Sequence, residues 1–112
     1  MGKNSVLKAP IISLYFDKIE QNKDGTFTVY WGYNNRDVRR LELTDNDSYL
    51  YIRKGGAITY PEKPPTVFKP GNHSNCFKTI IVENTDLIWK VKKAWKQLSY
   101  KDCQQMYLDQ GA

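Results

Sequence analysis

A chain of 112 residues fits one domain with a single core. Its 40% hydrophobic content argues against a large all-helical core, and no run approaches the roughly 18 apolar residues of a membrane span. The net charge of +5 is concentrated rather than spread: residues 87–101 carry five lysines and no acid.

In chain order, residues 1–9 read as a tail. No apolar signal core follows Met1-Gly2-Lys3-Asn4, so an extracellular placement assumes a leader already removed. From Pro10 to Ile19, Ile12, Leu14 and Phe16 alternate with Ser13, Tyr15 and Asp17, the period of a half-buried strand. Gln21 to Gly25 is polar and ends in Asp-Gly, a hairpin-turn signal because glycine accepts positive φ. Thr26–Tyr33 is the clearest strand. Phe27, Val29, Trp31 and Tyr33 share one face, and Thr26, Thr28, Tyr30 and Gly32 the other.

After a turn at Asn34-Asn35-Arg36-Asp37, Val38–Leu43 alternates Leu41 and Leu43 with charged neighbours, and Asp45-Asn46-Asp47 breaks the chain again. Ser48–Arg53 sets Leu50 and Ile52 against Tyr49 and Tyr51. The proline- and glycine-rich stretch 54–72 reads as a long crossing connection with a short extended piece at Thr66–Phe68, as a Greek-key sandwich requires. Cys76–Val82 and Leu87–Val91 close the core, joined by Glu83-Asn84-Thr85-Asp86. Beyond them, Ser99 with Asp102 resembles a helix start, and Cys103, Met106, Tyr107 and Gln110 follow a helical period. The expected fold is an all-β antiparallel Greek-key sandwich of about seven strands over 10–93. A C-terminal extension over 94–112, partly helical or frayed, follows it.

Three features bear on chemistry. The lysine stripe (Lys90, Lys92, Lys93, Lys96, Lys101) would attract nucleic acid or another anionic surface, or would simply protect an edge strand from pairing. Cys76 and Cys103 either pair, closing a loop of roughly thirty residues worth about 3–4 kcal/mol, or remain two unrelated thiols. Tyr30, Tyr49 and Tyr51 face outward and form a candidate ligand surface for sugar rings or bases, or merely cover their cross-strand neighbours.

Catalytic and metal patterns are sparse. The single histidine, His73, lies near Cys76, but no Gly-x-Ser-x-Gly elbow exists, and His73, Cys76 and Cys103 fall short of the four ligands of structural zinc. Glu20-x-Asn22-x-Asp24-Gly25 imitates the start of a calcium loop, yet Trp31 occupies the position of the required bidentate Glu. Asp45-Asn46-Asp47 reads as a solvated turn, with a weak calcium contact as the alternative. Asn46-Asp47-Ser48 and Asn72-His73-Ser74 match the short glycosylation acceptor. The expectation is no catalytic residue, no metal and no cofactor.

The run Asn22-Lys23-Asp24-Gly25-Thr26-Phe27-Thr28-Val29-Tyr30-Trp31-Gly32-Tyr33-Asn34-Asn35 resembles the "NGDGTYTAYFGYNN" pattern of small Ig-like β-sandwich modules of secreted and cell-surface proteins. Pro65–Gly71 is similar to their "PTTFxPG" segment, and Phe77 and Leu87–Val91 to their later "F" and "LxWxL" positions. Lys23, the Tyr49–Pro64 segment and the tail after Lys93 depart from that pattern. The resemblance implies an extracellular, non-catalytic module for adhesion, spacing or contact with a protein or glycan partner. The alternatives are a carbohydrate-binding module using the exposed tyrosines, and a cytoplasmic nucleic-acid-binding barrel using the lysines.

Overall fold

The computed structural model describes residues 11–54, 58–59 and 63–111. The expected tail 1–9 lies outside them, as does part of the 54–72 connection. The chain is an antiparallel β-sandwich closed by one short C-terminal helix. Among the described residues there are nine strands: β1 (Ile12–Gln21), β2 (Phe27–Asn35), β3 (Leu41–Glu42), β4 (Ser48–Lys54), β5 (Ile58–Thr59), β6 (Val67–Phe68), β7 (Gly71–Ile81), β8 (Asp86–Val91) and β9 (Ala94–Ser99). Helix α1 spans Tyr100–Gly111. A four-stranded sheet runs β1-β2-β7-β5, a three-stranded sheet β4-β8-β9, and β3 pairs with β6 as a separate ribbon.

The period-two pattern of β2 explains the core. Phe27, Val29, Trp31 and Tyr33 are all buried, as the alternation predicts. Trp31 meets Trp89 of the facing sheet edge-on, 5.8 Å between ring centroids, while Phe77 meets Trp89 at 4.8 Å. Such tilted geometries suit the ring quadrupoles, and each fully buried phenylalanine adds about 1.5–3 kcal/mol of hydrophobic stabilisation. Both buried indole N–H groups find acceptors: Trp31 Nε1 donates to Thr79 Oγ1 (3.0 Å) and Trp89 Nε1 to Ser48 Oγ (3.3 Å). Ser48 Oγ donates in turn to the Pro65 carbonyl at 2.6 Å, tying the connection to the second sheet.

Several boundaries differ from expectation. β1 keeps Ile12 and Leu14 inward, but a bulge at Asp17 shifts the register, so Ile19 takes over the inward face. Asp17 then accepts the Asn75 backbone N–H at 2.8 Å, filling a second bulge in β7. The expected strand Val38–Leu43 shrinks to Leu41–Glu42, with Val38 90% exposed. The cause is local hydrogen bonding. Buried Asn35 donates to the Phe68 carbonyl (2.8 Å) and accepts from the Asp37 N–H (2.9 Å), and Asp37 accepts the Arg39 N–H (3.0 Å). Ile52, expected inward, is 42% exposed on the sheet's outer strand. β7 begins five residues before the expected Cys76. The crossing back to the first sheet is short: β4 ends at Lys54 and β5 already pairs with β7 at Ile58.

The segment 94–99 corrects the expected extension. It is strand β9, paired with β8 along its length from Asp86↔Ser99 to Val91↔Ala94. The helix expected after Ser99 is present, and Ser99 Oγ caps it by accepting the Asp102 N–H at 3.0 Å. Tyr100 and Tyr107 lay their rings on Phe27, with Cys103 fully buried between them on the same helix face. Among the described residues, no helix is long and apolar enough to cross a membrane.

Candidate functional site

Three solvent-facing aromatics share the outer face of the three-stranded sheet. Alternation along β4 turns Tyr49 and Tyr51 outward, 38% and 42% exposed, with their rings 5.9 Å apart. Register carries the same face across β8 to β9. Tyr49 lies opposite Lys90 and Lys90 opposite Trp95; Tyr51 lies opposite Ile88 and Ile88 opposite Gln97. Trp95 is 61% exposed, whereas Trp31 and Trp89 are fully buried. Two strand spacings place the Tyr49 and Trp95 backbones roughly 10 Å apart, with Lys90 between them.

A shallow groove of about 360 Å³ runs over this face, lined by Tyr51, Arg53, Ile88, Lys90, Trp95 and Gln97. Ile88 forms its apolar floor. Among the described residues no carboxylate lines it, and neither Lys90 nor Arg53 is in a salt bridge. The nearby acids stand at the rim. Asp45 pairs with Lys63 and Asp47 with Lys92, each at 3.7 Å, and Asp86 closes one end of the face.

The structure divides both surfaces that the sequence suggested. Tyr30 belongs to β2 of the four-stranded sheet, away from Tyr49 and Tyr51, so the three tyrosines form no common strip. Its hydroxyl donates to Glu20 Oε1 at 2.8 Å, and Lys18 lies 5.2 Å from its ring centre. That hydrogen bond, then Lys18, holds the Glu20 carboxyl below its ordinary value.

The five lysines scatter as well. Lys90 stands on the outer face and Lys92 is engaged by Asp47. Lys96 folds over the Phe16 ring at 5.3 Å, Lys93 lies in the β8–β9 turn, and Lys101 opens the helix. Lys96 thus lies over the seam where the edge strands β1 and β9 approach.

Comparison with family models, with curated proteins and with solved structures returns no match. Function therefore rests on the geometry of the chain itself.

Cys76 and Cys103 are both free thiols. Cys76 sits in the β7 bulge beside Gly32. Cys103 lies on the helix between Tyr100 and Tyr107, whose rings meet Phe27, five residues back from Gly32 along β2, roughly 17 Å of strand and far beyond the span of a disulfide. Burial, then Asp102, pushes the Cys103 thiol up to about 12, and burial, then Asp17, raises Cys76. His73 Nε2 rests 2.9 Å from the Pro70 carbonyl, and its ring lies against Tyr33. Among the described residues, no three metal-ligating side chains converge.

Among the groove residues, Trp95, Arg53 and Gln97 are not candidates in the sequence. Period-two alternation beginning at Ala94 sets Trp95 and Gln97 on one face, a pattern that the interspersed lysines obscure.

Proposed function

We propose that the chain is a non-catalytic, Ig-like binding or spacing module whose contact surface is the outer face of the β4-β8-β9 sheet. Strand order supports the Ig-like plan. Setting aside the β3–β6 ribbon, the seven remaining strands fall into one sheet ordered first-second-fifth-fourth and another ordered third-sixth-seventh. This is the ABED and CFG arrangement of constant-type immunoglobulin sandwiches. In antibody domains a disulfide pins the second strand to the sixth; here Trp31 and Trp89 meet across the same two strands. A secreted or cell-surface setting is what the sequence resemblance adds.

The carrying observation is Trp95, a large indole left in solvent beside two exposed tyrosines and two cations. Exposed aromatic residues together with arginine are the types enriched at contact surfaces, and buried-core chemistry does not account for them. Glu20, Asp24, Asp37 and Asp47 are held below their ordinary values, the direction opposite to a general acid, and the Cys76 and Cys103 thiols are raised, the direction opposite to a nucleophilic thiolate.

The test compares wild type, Tyr51→Ala/Trp95→Ala and Tyr30→Ala against a panel of glycans, peptides and proteins by biolayer interferometry. Binding should disappear in the double variant and persist in Tyr30→Ala, which alters the opposite sheet. Partners that bind the double variant as tightly as wild type, or turnover of a substrate by the pure protein, would contradict the proposal.

A further inference from the structure

The chemistry of that face narrows its ligand. We infer that the Tyr49–Tyr51–Trp95 face binds an acidic glycan, a sugar chain carrying carboxylate or sulfate groups. The inference rests on the reading of this face as the contact surface.

Three observations point this way. First, the groove is shallow and open, so it suits an extended chain lying across the strands rather than an enclosed small molecule. Second, Tyr49 and Trp95 stand on either side of Lys90 in one lateral row, two flat apolar rings separated by a cation. A sugar ring offers an apolar face for stacking, and an acidic substituent beside it would meet the Lys90 ammonium. Arg53, two residues beyond Tyr51 at the β4 register shift, lines the same groove and adds a planar fork suited to carboxylate or sulfate. Gln97 supplies both a donor and an acceptor for hydroxyl groups. Third, among the described residues neither cation is in a salt bridge with a carboxylate, so no described acid competes with an incoming anion for them.

The distribution of charge favours a glycan over a nucleic acid. A nucleic acid presents a phosphate at every step, and its binding draws on a track of cations. Among the described residues the groove is lined by two, with Asp86 at one end of the face, because the lysine stripe is dispersed over the turn, the β1–β9 seam and the first turn of the helix. Two cations between aromatic platforms match a chain with fewer charges and more apolar ring surface.

Trp95 makes the test direct, since it is the exposed indole beside two fully buried ones. Its fluorescence is titrated with a hexasaccharide of galacturonate, a sulfated heparin-type hexasaccharide, neutral cellohexaose and a twelve-residue oligothymidylate, at low and high salt. An acidic hexasaccharide should bind, weaken as salt rises, and exceed cellohexaose by about ten-fold or more. The uronate and sulfate arms show which acidic group is preferred.

Lys90→Ala should reduce that affinity by roughly ten-fold, with binding followed by calorimetry. Trp95→Ala should do likewise, while Trp95→Phe retains most of the affinity because a ring remains. Near-ultraviolet circular dichroism of the Trp31–Trp89 pair checks that each variant is folded. Equal binding of cellohexaose, tighter binding of oligothymidylate than of either acidic sugar, or indifference to Lys90→Ala overturns the inference. Absence of any acidic-sugar binding also overturns it. A neutral sugar or oligonucleotide that needs Trp95 would remove the acidic-glycan inference and leave the contact face standing.

Discussion

At Gly32 there is no room for even one more carbon. A β-carbon built there would lie 2.7 Å from the His73 carbonyl and 2.7 Å from the Tyr15 ring, so the β7 bulge can press against β2 only over a glycine. Gly32→Ala should therefore cost about 1–3 kcal/mol through overpacking, read as a lower urea midpoint with an unchanged slope. An unchanged midpoint would mean that the bulge does not approach as described. Cys103 offers a second test at this scale. With its thiol pushed up to about 12 by burial, it should resist a thiol reagent at pH 8 in the native protein and react only upon unfolding. Rapid labelling of both cysteines in the native state would contradict the packing of α1. Neither property was visible in the sequence: Gly32 read as one more outward position, and Cys103 as a possible disulfide partner.

Among the elements, legibility followed burial on a single face. β2 was readable because four large apolar residues alternate with polar ones over its length. β9 was not, because its buried residues, Ala94 and Leu98, stand four apart, and outward Trp95 breaks the apparent pattern. The polar start of β7, Gly71 to Asn75, has no buried residue and is a strand only because β2 supplies its partners. The helix was legible from its cap and period. Its docking onto Phe27 was not, because that depends on where the far end of β2 lies in space. Ser99→Ala removes the cap and should cost about 1 kcal/mol, seen as faster amide exchange in the first turn of α1. Exchange equal to wild type would show that the cap contributes nothing.

For the whole molecule, the two-sheet architecture was legible and the functional face was not. Core positions announce themselves by pattern, whereas a surface is assembled from residues on three strands whose register no local pattern specifies. Tyr49, Lys90 and Trp95 come from β4, β8 and β9 and meet only through ladder pairing. The same assembly sets the response to acid. Glu20, Asp24, Asp37 and Asp47 have folded values below their ordinary 4.5 or 3.8. Their contribution is full above those ordinary values and is lost as pH falls through the depressed ones, so urea midpoints should decline below about pH 4. Asp37→Asn should flatten that decline; a midpoint that rises on acidification would contradict the assigned hydrogen bonds.

Binding through this sheet requires an uncovered outer face. Acrylamide quenching of tryptophan fluorescence reads it, because Trp95 is exposed while Trp31 and Trp89 are not. Wild type should show a readily quenched component that is absent in Trp95→Phe. Quenching that is unchanged by Trp95→Phe would mean that the indole is already covered, and would contradict the presence of an open contact face.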